Sequence, residues 1–397
     1  MPAAQNPGAR PSSPYSVRFP QEDVDVPDIE IGLGKSARRS YSLDEVALLP
    51  TRRTREPEKV DLTWEVDAYR LGAPVLAAAS DAVSSPATAA ALGAVGAAAV
   101  LHLGGLWVRH DDPGSVLSQL ADLGDDDELA AVGLLRDAYD APVQPDLVEA
   151  RIKEIRASGA TCVVAVTPRH VEELTSHILR GEPDLLVIAA PLVSAEHVSD
   201  SNSEPLNLKT FIRRFELPVL VGGCASYQAA LHLMRTGAAG VIVRSNVEIA
   251  GELGVGGGLA TAVADARSAR MRHLDETGVY CHVLAEGGIR TGGDIAKAVA
   301  CGADAVVLDE VLAGASDAPG GGWWWDHGIT HAALPVGGLW RELEAGAEGA
   351  PTTEQLLVGP GAPNLLGALR KAMALCGYES VKELQTAELV VTSGSIV

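Results

Sequence analysis

The chain has 397 residues, 47% of them hydrophobic, and a formal charge of -21 from 52 acids against 31 bases. That length and apolar content exclude global disorder and allow one large barrel or two ordinary domains. The charge argues against a nucleic-acid partner and for an acidic, soluble, cytoplasmic protein, and no long uncharged apolar run suggests a membrane span.

In chain order, the amino terminus MPAAQNPGARPSSPYSVRFP is rich in proline and small residues and lacks the apolar core of a signal peptide. Residues 1–28 therefore read as a flexible lead, and the stretch to residue 72 as a lead-in expected to pack on the main body of the chain. From residue 73 one theme repeats: a short apolar run, a turn, then a longer amphipathic stretch. The runs are APVLAAAS (73–80), AAAVLHLG (97–104), TCVVAVTP (161–168), LLVIAA (185–190), PVLVGGC (218–224), GVIVRS (240–245), YCHVLAEGG (280–288) and ADAVVLDE (303–310).

Between the runs lie helical patterns such as DDELAAVGLLRDAYD, DLVEARIKEIRASG, SYQAALHLMRTG, GLATAVADARSARMRHLDETG and DIAKAVACG, several stopped by glycine. Eight such units predict an α/β fold, a (β/α)8 TIM barrel whose strands, buried on both faces, read as continuous apolar runs. A doubly wound open sheet ranks below it, because no GxGxxG follows the first strand. After the eighth run comes a glycine-rich excursion, GASDAPGGGWWWDHGITHAALPVGGLW, and LLGALRKAMALCGYESVKELQ predicts two closing helices. The five cysteines, Cys162, Cys224, Cys281, Cys301 and Cys376, are scattered and form no CxxC pair, which fits neither a disulfide framework nor a zinc site.

Function in such a barrel sits at the carboxyl ends of the strands. There, PLVSAEHVS, PLNLKTFIRRFELPVLVGGCASYQAALHLMRTGAAGVIV, AEGGIRTGGDIAKAVACGADAVVL and NLLGALRKAMALCGYESVKELQ closely resemble the IMP dehydrogenase and GMP reductase family, in its bacterial branch without CBS domains. The resemblance runs from about residue 29 to the closing helices, so residues 29–397 read as a single barrel domain. It implies a purine nucleotide 5′-monophosphate and a nicotinamide cofactor (NAD) over the mouth, and a tetrameric assembly. It further implies hydride exchange through a covalent adduct on a cysteine in the loop after the sixth strand.

That loop here reads RSNVEIAGELGVGGG, with no cysteine, and Ser245 has no visible base beside it. Its glycines read as a flexible crossing where the catalytic cysteine belongs. At the phosphate site implied by the resemblance, Gly287 and Gly288 survive, but Asp309 and Glu310 stand where the family has Gly-Ser. A carboxylate about 5 Å from a phosphate costs about 3 kcal/mol at an effective dielectric near 20, roughly a hundredfold in affinity. The ribose-binding Asp is here Glu286. The strand-one motif reads Ala78, Ala79, Ser80, Asp81, and the base-contacting segment keeps Trp325 while Asp326 and His327 replace its neighbours.

The residues expected to keep some substrate contact are thus Ser80, Asp81, Glu286, Gly287, Gly288 and Trp325. The candidate acids and bases are Glu286, Asp309, Glu310 and His327. His327 and His331 lie four apart, but without further ligands they predict no metal site. Cys224 reads as a small buried residue. Of the three consecutive tryptophans at 323–325, at least one is expected to be exposed or at a subunit contact, since neighbours in a chain point different ways.

The leading expectation is a catalytically degenerate paralogue, a scaffold or the partner of an active family member in a homo- or hetero-oligomer. The rival is an enzyme of altered chemistry on a purine-like or non-phosphorylated ligand. Ordinary dehydrogenase or reductase activity ranks last.

Overall fold

The structure is a computed structural model, and it describes residues 28–124, 127–190, 193, 206–245, 254–325, 339–341, 351–361 and 364–392. The chain divides into two compact units, Met1–Arg39 and Ser40–Val397. In the first, Asp28–Gly32 and Lys35–Arg38 form an antiparallel hairpin.

In the second, all eight apolar runs are strands: β1 (Val75–Ala77), β2 (Ala98–His102), β3 (Val163–Val166), β4 (Leu185–Ala189), β5 (Val219–Cys224), β6 (Gly240–Arg244), β7 (His282–Glu286) and β8 (Ala305–Leu308). Each pairs in parallel with the next, and β8 pairs with β1, closing the barrel. Valine, isoleucine and leucine fill these runs because one face meets the barrel interior and the other the surrounding helices.

The helices start and stop where local chemistry requires. α1 (Pro86–Ala94) opens on a Ser85–Thr88 capping box with proline in the first turn. α2 is Gly114–Ala121, α3 Glu128–Asp140, α4 Pro145–Ala157, α5 Val171–Gly181, α6 Leu208–Ile212 and α7 Tyr227–Met234. The longest, α8 (Leu259–Thr277), ends at Gly278, whose φ of 73° is left-handed. α9 (Gly292–Cys301) has a Thr291–Asp294 capping box. α10 is Glu310–Ala313 and α11 Thr353–Val358, and the two closing helices are α12 (Leu365–Cys376) and α13 (Val381–Leu384).

A second hairpin, Trp64–Val66 with Tyr69–Leu71, caps the amino-terminal end of the barrel. Trp64, Val66 and Leu71 join the inward side chains Ala98, Leu220 and Ala305 in one buried cluster. That end is packed shut, so the interior opens at the carboxyl ends of the strands.

The tryptophan expectation fails. Trp323, Trp324 and Trp325 are 1%, 1% and 0% exposed. They form a short strand paired antiparallel with Leu339–Arg341. A strand covered on both faces buries successive side chains whichever way they point: Trp324 Nε1 donates to Asp309 Oδ1 at 2.6 Å, and Trp325 Nε1 to the Tyr139 hydroxyl at 3.1 Å.

Among the described residues no helix is long and apolar enough to cross a membrane.

Candidate functional site

Side chains alternate along a strand, so the residue two beyond an inward apolar position also faces the barrel axis. Along β2 that rule carries Val100 to His102, along β6 Ile242 to Arg244, and beyond β8 Val307 to Asp309. All six line one cavity at the mouth, to which each strand or the residue just after it contributes. Its free space, the open mouth included, is about 750 Å³. Leu76, Val100, Val187, Ile242 and Val307 make an apolar floor, and Ser80, His102, Thr167, Arg244, Glu286 and Asp309 supply the polar groups.

Arg244 and Glu286 are register partners on β6 and β7, and Arg244 Nη2 donates to Glu286 Oε1 at 2.9 Å. Asp309 accepts from Trp324 Nε1, and Ser80 Oγ donates to the Trp325 carbonyl at 3.0 Å, so the tryptophan strand braces two lining residues from behind. Thr167 Oγ1 lies 3.0 Å from His170 Nδ1, and burial, with Arg169 adding to it, lowers the pKa of that imidazole.

The other candidate residues lie elsewhere. Glu310 does not line the cavity; it begins α10 and bonds Arg290 Nη2 at 2.5 Å. Asp81 is fully buried beside the cavity, where one carboxylate oxygen accepts from the Leu106 amide and the Tyr139 hydroxyl. Its other oxygen has no hydrogen-bond partner among the described residues. Burial pushes Asp81 up to about 6, against the Tyr139 and Leu106 hydrogen bonds and the nearby Arg109. Trp325 belongs to the same network and does not reach the cavity.

Gly287 and Gly288 follow Glu286 with φ of 111° and 62°, a turn that suits glycine. Ser245 donates its hydroxyl to the Gly257 carbonyl. His327, with Asp326, His331 and residues 246–253, lies outside the described residues.

The end of the glycine-rich loop is not a loose crossing. Gly258 N donates to Ser40 Oγ at 2.7 Å, and a Cβ on Gly258 would sit 2.1 Å from the Tyr41 carbonyl carbon. Glycine is needed there for close approach to the lead-in.

All five cysteines of the chain are buried. Burial pushes the thiols of Cys162, Cys224, Cys281 and Cys301 up to about 12, and it raises Cys376 as well. No thiol lines the cavity. Among the described residues no group of three or more metal-ligating side chains is gathered.

Residues 40–330 match the family model described as the IMP dehydrogenase / GMP reductase domain. The chain belongs to the IMP dehydrogenase / GMP reductase family. It is 45% identical to an uncharacterized oxidoreductase of Mycolicibacterium smegmatis, over 92% of this chain and 100% of that protein. The inosine-5′-monophosphate dehydrogenase of Methanocaldococcus jannaschii is 29% identical over 66% of this chain and 55% of its own length. The crystal structure of an IMP dehydrogenase/GMP reductase-like protein from Corynebacterium glutamicum superposes with a TM-score of 0.83 at 40% identity, covering 92% of this chain and 98% of that one.

The described residues at this mouth do not fit the thiol adduct on a 5′-phosphorylated purine that the IMP dehydrogenase resemblance implies. The lining has no thiol to form the adduct. Its cation, Arg244, is engaged by Glu286, and Asp309 adds a second carboxylate. Sequence reasoning found Glu286, Asp309 and Ser80 but missed His102, Thr167 and Arg244. The two-residue alternation from Val100 and Ile242 would have found His102 and Arg244.

Proposed function

We propose that this member of the family has lost its thiol-dependent hydride transfer and keeps the barrel mouth as a ligand-binding site, serving as a scaffold or as the partner subunit of an active relative. One observation carries the reading: every cysteine of the chain is buried and none lines the cavity. A thiol held near a pKa of 12 is neither a thiolate nor exposed to substrate. The test is the purified protein with IMP and NAD, followed in the nicotinamide absorbance band. No change is expected, and turnover that survives Cys224→Ala would overturn the reading. Co-expression with an active family member and native mass spectrometry tests the partner role, which exclusive formation of homo-oligomers would remove.

A second reading is favoured by the cavity itself. His102, Glu286 and Asp309 are an acid and base set over an apolar floor, suited to proton transfer on a purine-like ligand without phosphate. Product analysis after incubation with nucleosides and free bases, with and without divalent metal, tests it; unchanged ligands throughout would exclude it.

A further inference from the structure

Among the described residues, the most exposed large apolar side chains are Leu33, Leu129 and Ile31. Two of them belong to the hairpin of Asp28–Gly32 with Lys35–Arg38, in which every residue is exposed. A two-stranded hairpin is at best marginally stable by itself in water. Ile29, Ile31 (64% exposed) and the fully exposed Leu33 give this one apolar surface for a partner to cover. Leu129 stands in the first turn of α3, whose buried side chains are Ala131, Leu135, Ala138 and Tyr139. It lies two positions, about 200° around the helix, from Ala131. It therefore points away from the core and is 87% exposed.

Charge says what the partner is. Two copies of a chain carrying -21 repel each other, so they approach most easily where one of them is basic. Residues 32–39, GLGKSARR, hold three bases and no acid. Residues 122–128, DLGDDDE, hold five acids and no base, and lead directly into Leu129. An apolar tip followed by bases thus complements an apolar side chain preceded by acids. We infer that the hairpin of one copy docks on the start of α3 in a second copy, with Ile31 and Leu33 packed on Leu129 and Lys35 set against Glu128. The two surfaces differ, so the contact is heterologous, and repeated about a symmetry axis it closes a ring. It holds whichever reading of the barrel mouth is correct.

The experiment follows self-association of the full chain by sedimentation velocity. The parent is expected to associate, and Leu33→Asp and Leu129→Asp should each weaken association by about tenfold or more. Their circular dichroism should match the parent's, since both side chains are exposed. Lys35→Glu and Glu128→Lys should each weaken association about two- to fivefold, and a mixture of the two should regain it, because every contact in the mixture can again pair opposite charges. A second arm needs no disruptive variant. Leu33→Cys protein mixed with Leu129→Cys protein under oxidised glutathione should form a disulfide-linked pair of chains, the five native thiols being buried. A monomeric parent, association untouched by both Asp variants, or no more linkage than Leu33→Cys gives with Leu179→Cys overturns the inference. So does ready closure within a single dilute chain that carries both new cysteines, because the occupant is then the chain's own α3.

Discussion

The two ends of the barrel each hold an arginine–carboxylate pair, and their surroundings give them opposite roles. At the closed end Arg270 Nη1 meets Asp304 Oδ2 at 2.7 Å, with 2% and 6% of their side chains exposed. Asp304 also accepts from the Tyr280 hydroxyl, the Gln385 amide and the Val283 N–H. Burial opposes its charge, but Arg270, with Lys382 and His282, more than offsets that, and its pKa lies below the usual carboxylate range. At the open end Arg244 and Glu286 face a cavity. The same chemistry locks β7 and β8 to the closing helices at one end and lines an open cavity at the other. The packing around an ion pair, more than its length, decides which role it takes.

The sharpest way to break this comparison is Asp304→Ala, which strands a buried guanidinium. It should cost about 3–5 kcal/mol in urea unfolding, and a loss no greater than that of Glu286→Ala would dissolve the contrast. In the parent, the stability that Asp304 gives is present above about pH 4 and lost as pH falls through its depressed pKa, so the closed end should weaken in acid.

Asp81 has the opposite sign. Its carboxyl is raised to about 6, so the stability tied to its proton is present below about pH 4 and lost as pH rises past about 6. Asp81→Asn, which cannot ionise, should therefore gain on the parent at about pH 7–8, by at most on the order of 3 kcal/mol. Melting curves across pH check this, and an advantage that persists at about pH 4 would contradict it.

Trp325→Phe removes the indole bond to Tyr139 and some volume from the wall behind Ser80, with an expected loss of about 1–3 kcal/mol by chemical denaturation. Smallest is the double replacement Arg244→Met with Glu286→Leu, expected to shift stability by less than about 1 kcal/mol, because a buried pair replaced as a whole by apolar volume often costs little. A loss matching that of Asp304→Ala would make the mouth pair structural.

Much of the barrel was legible. Eight apolar runs became eight strands, and Gly278 and Gly377 ended α8 and α12 with left-handed φ as stop signals do. Glu286 and Asp309 were legible as residues of the barrel mouth because strand ends in this fold converge there. Glu310, adjacent to Asp309, was not separable from it by position: α10 begins there, turning one carboxylate toward the cavity and the other toward Arg290. The burial of the tryptophan strand was not legible because its partner strand, Leu339–Arg341, and the side chains its indoles bond, Asp309 and Tyr139, are not neighbours in the sequence.

The sequence by itself determined the periodic pattern, the family, and the absence of a cysteine after β6, since each of these is a property of residue order. Only the tertiary structure decided that all five thiols are buried, that Arg244 answers Glu286, and that Gly258, just before α8, packs against Tyr41. Those are contacts between residues far apart in the chain, and closing the barrel is what brings them together.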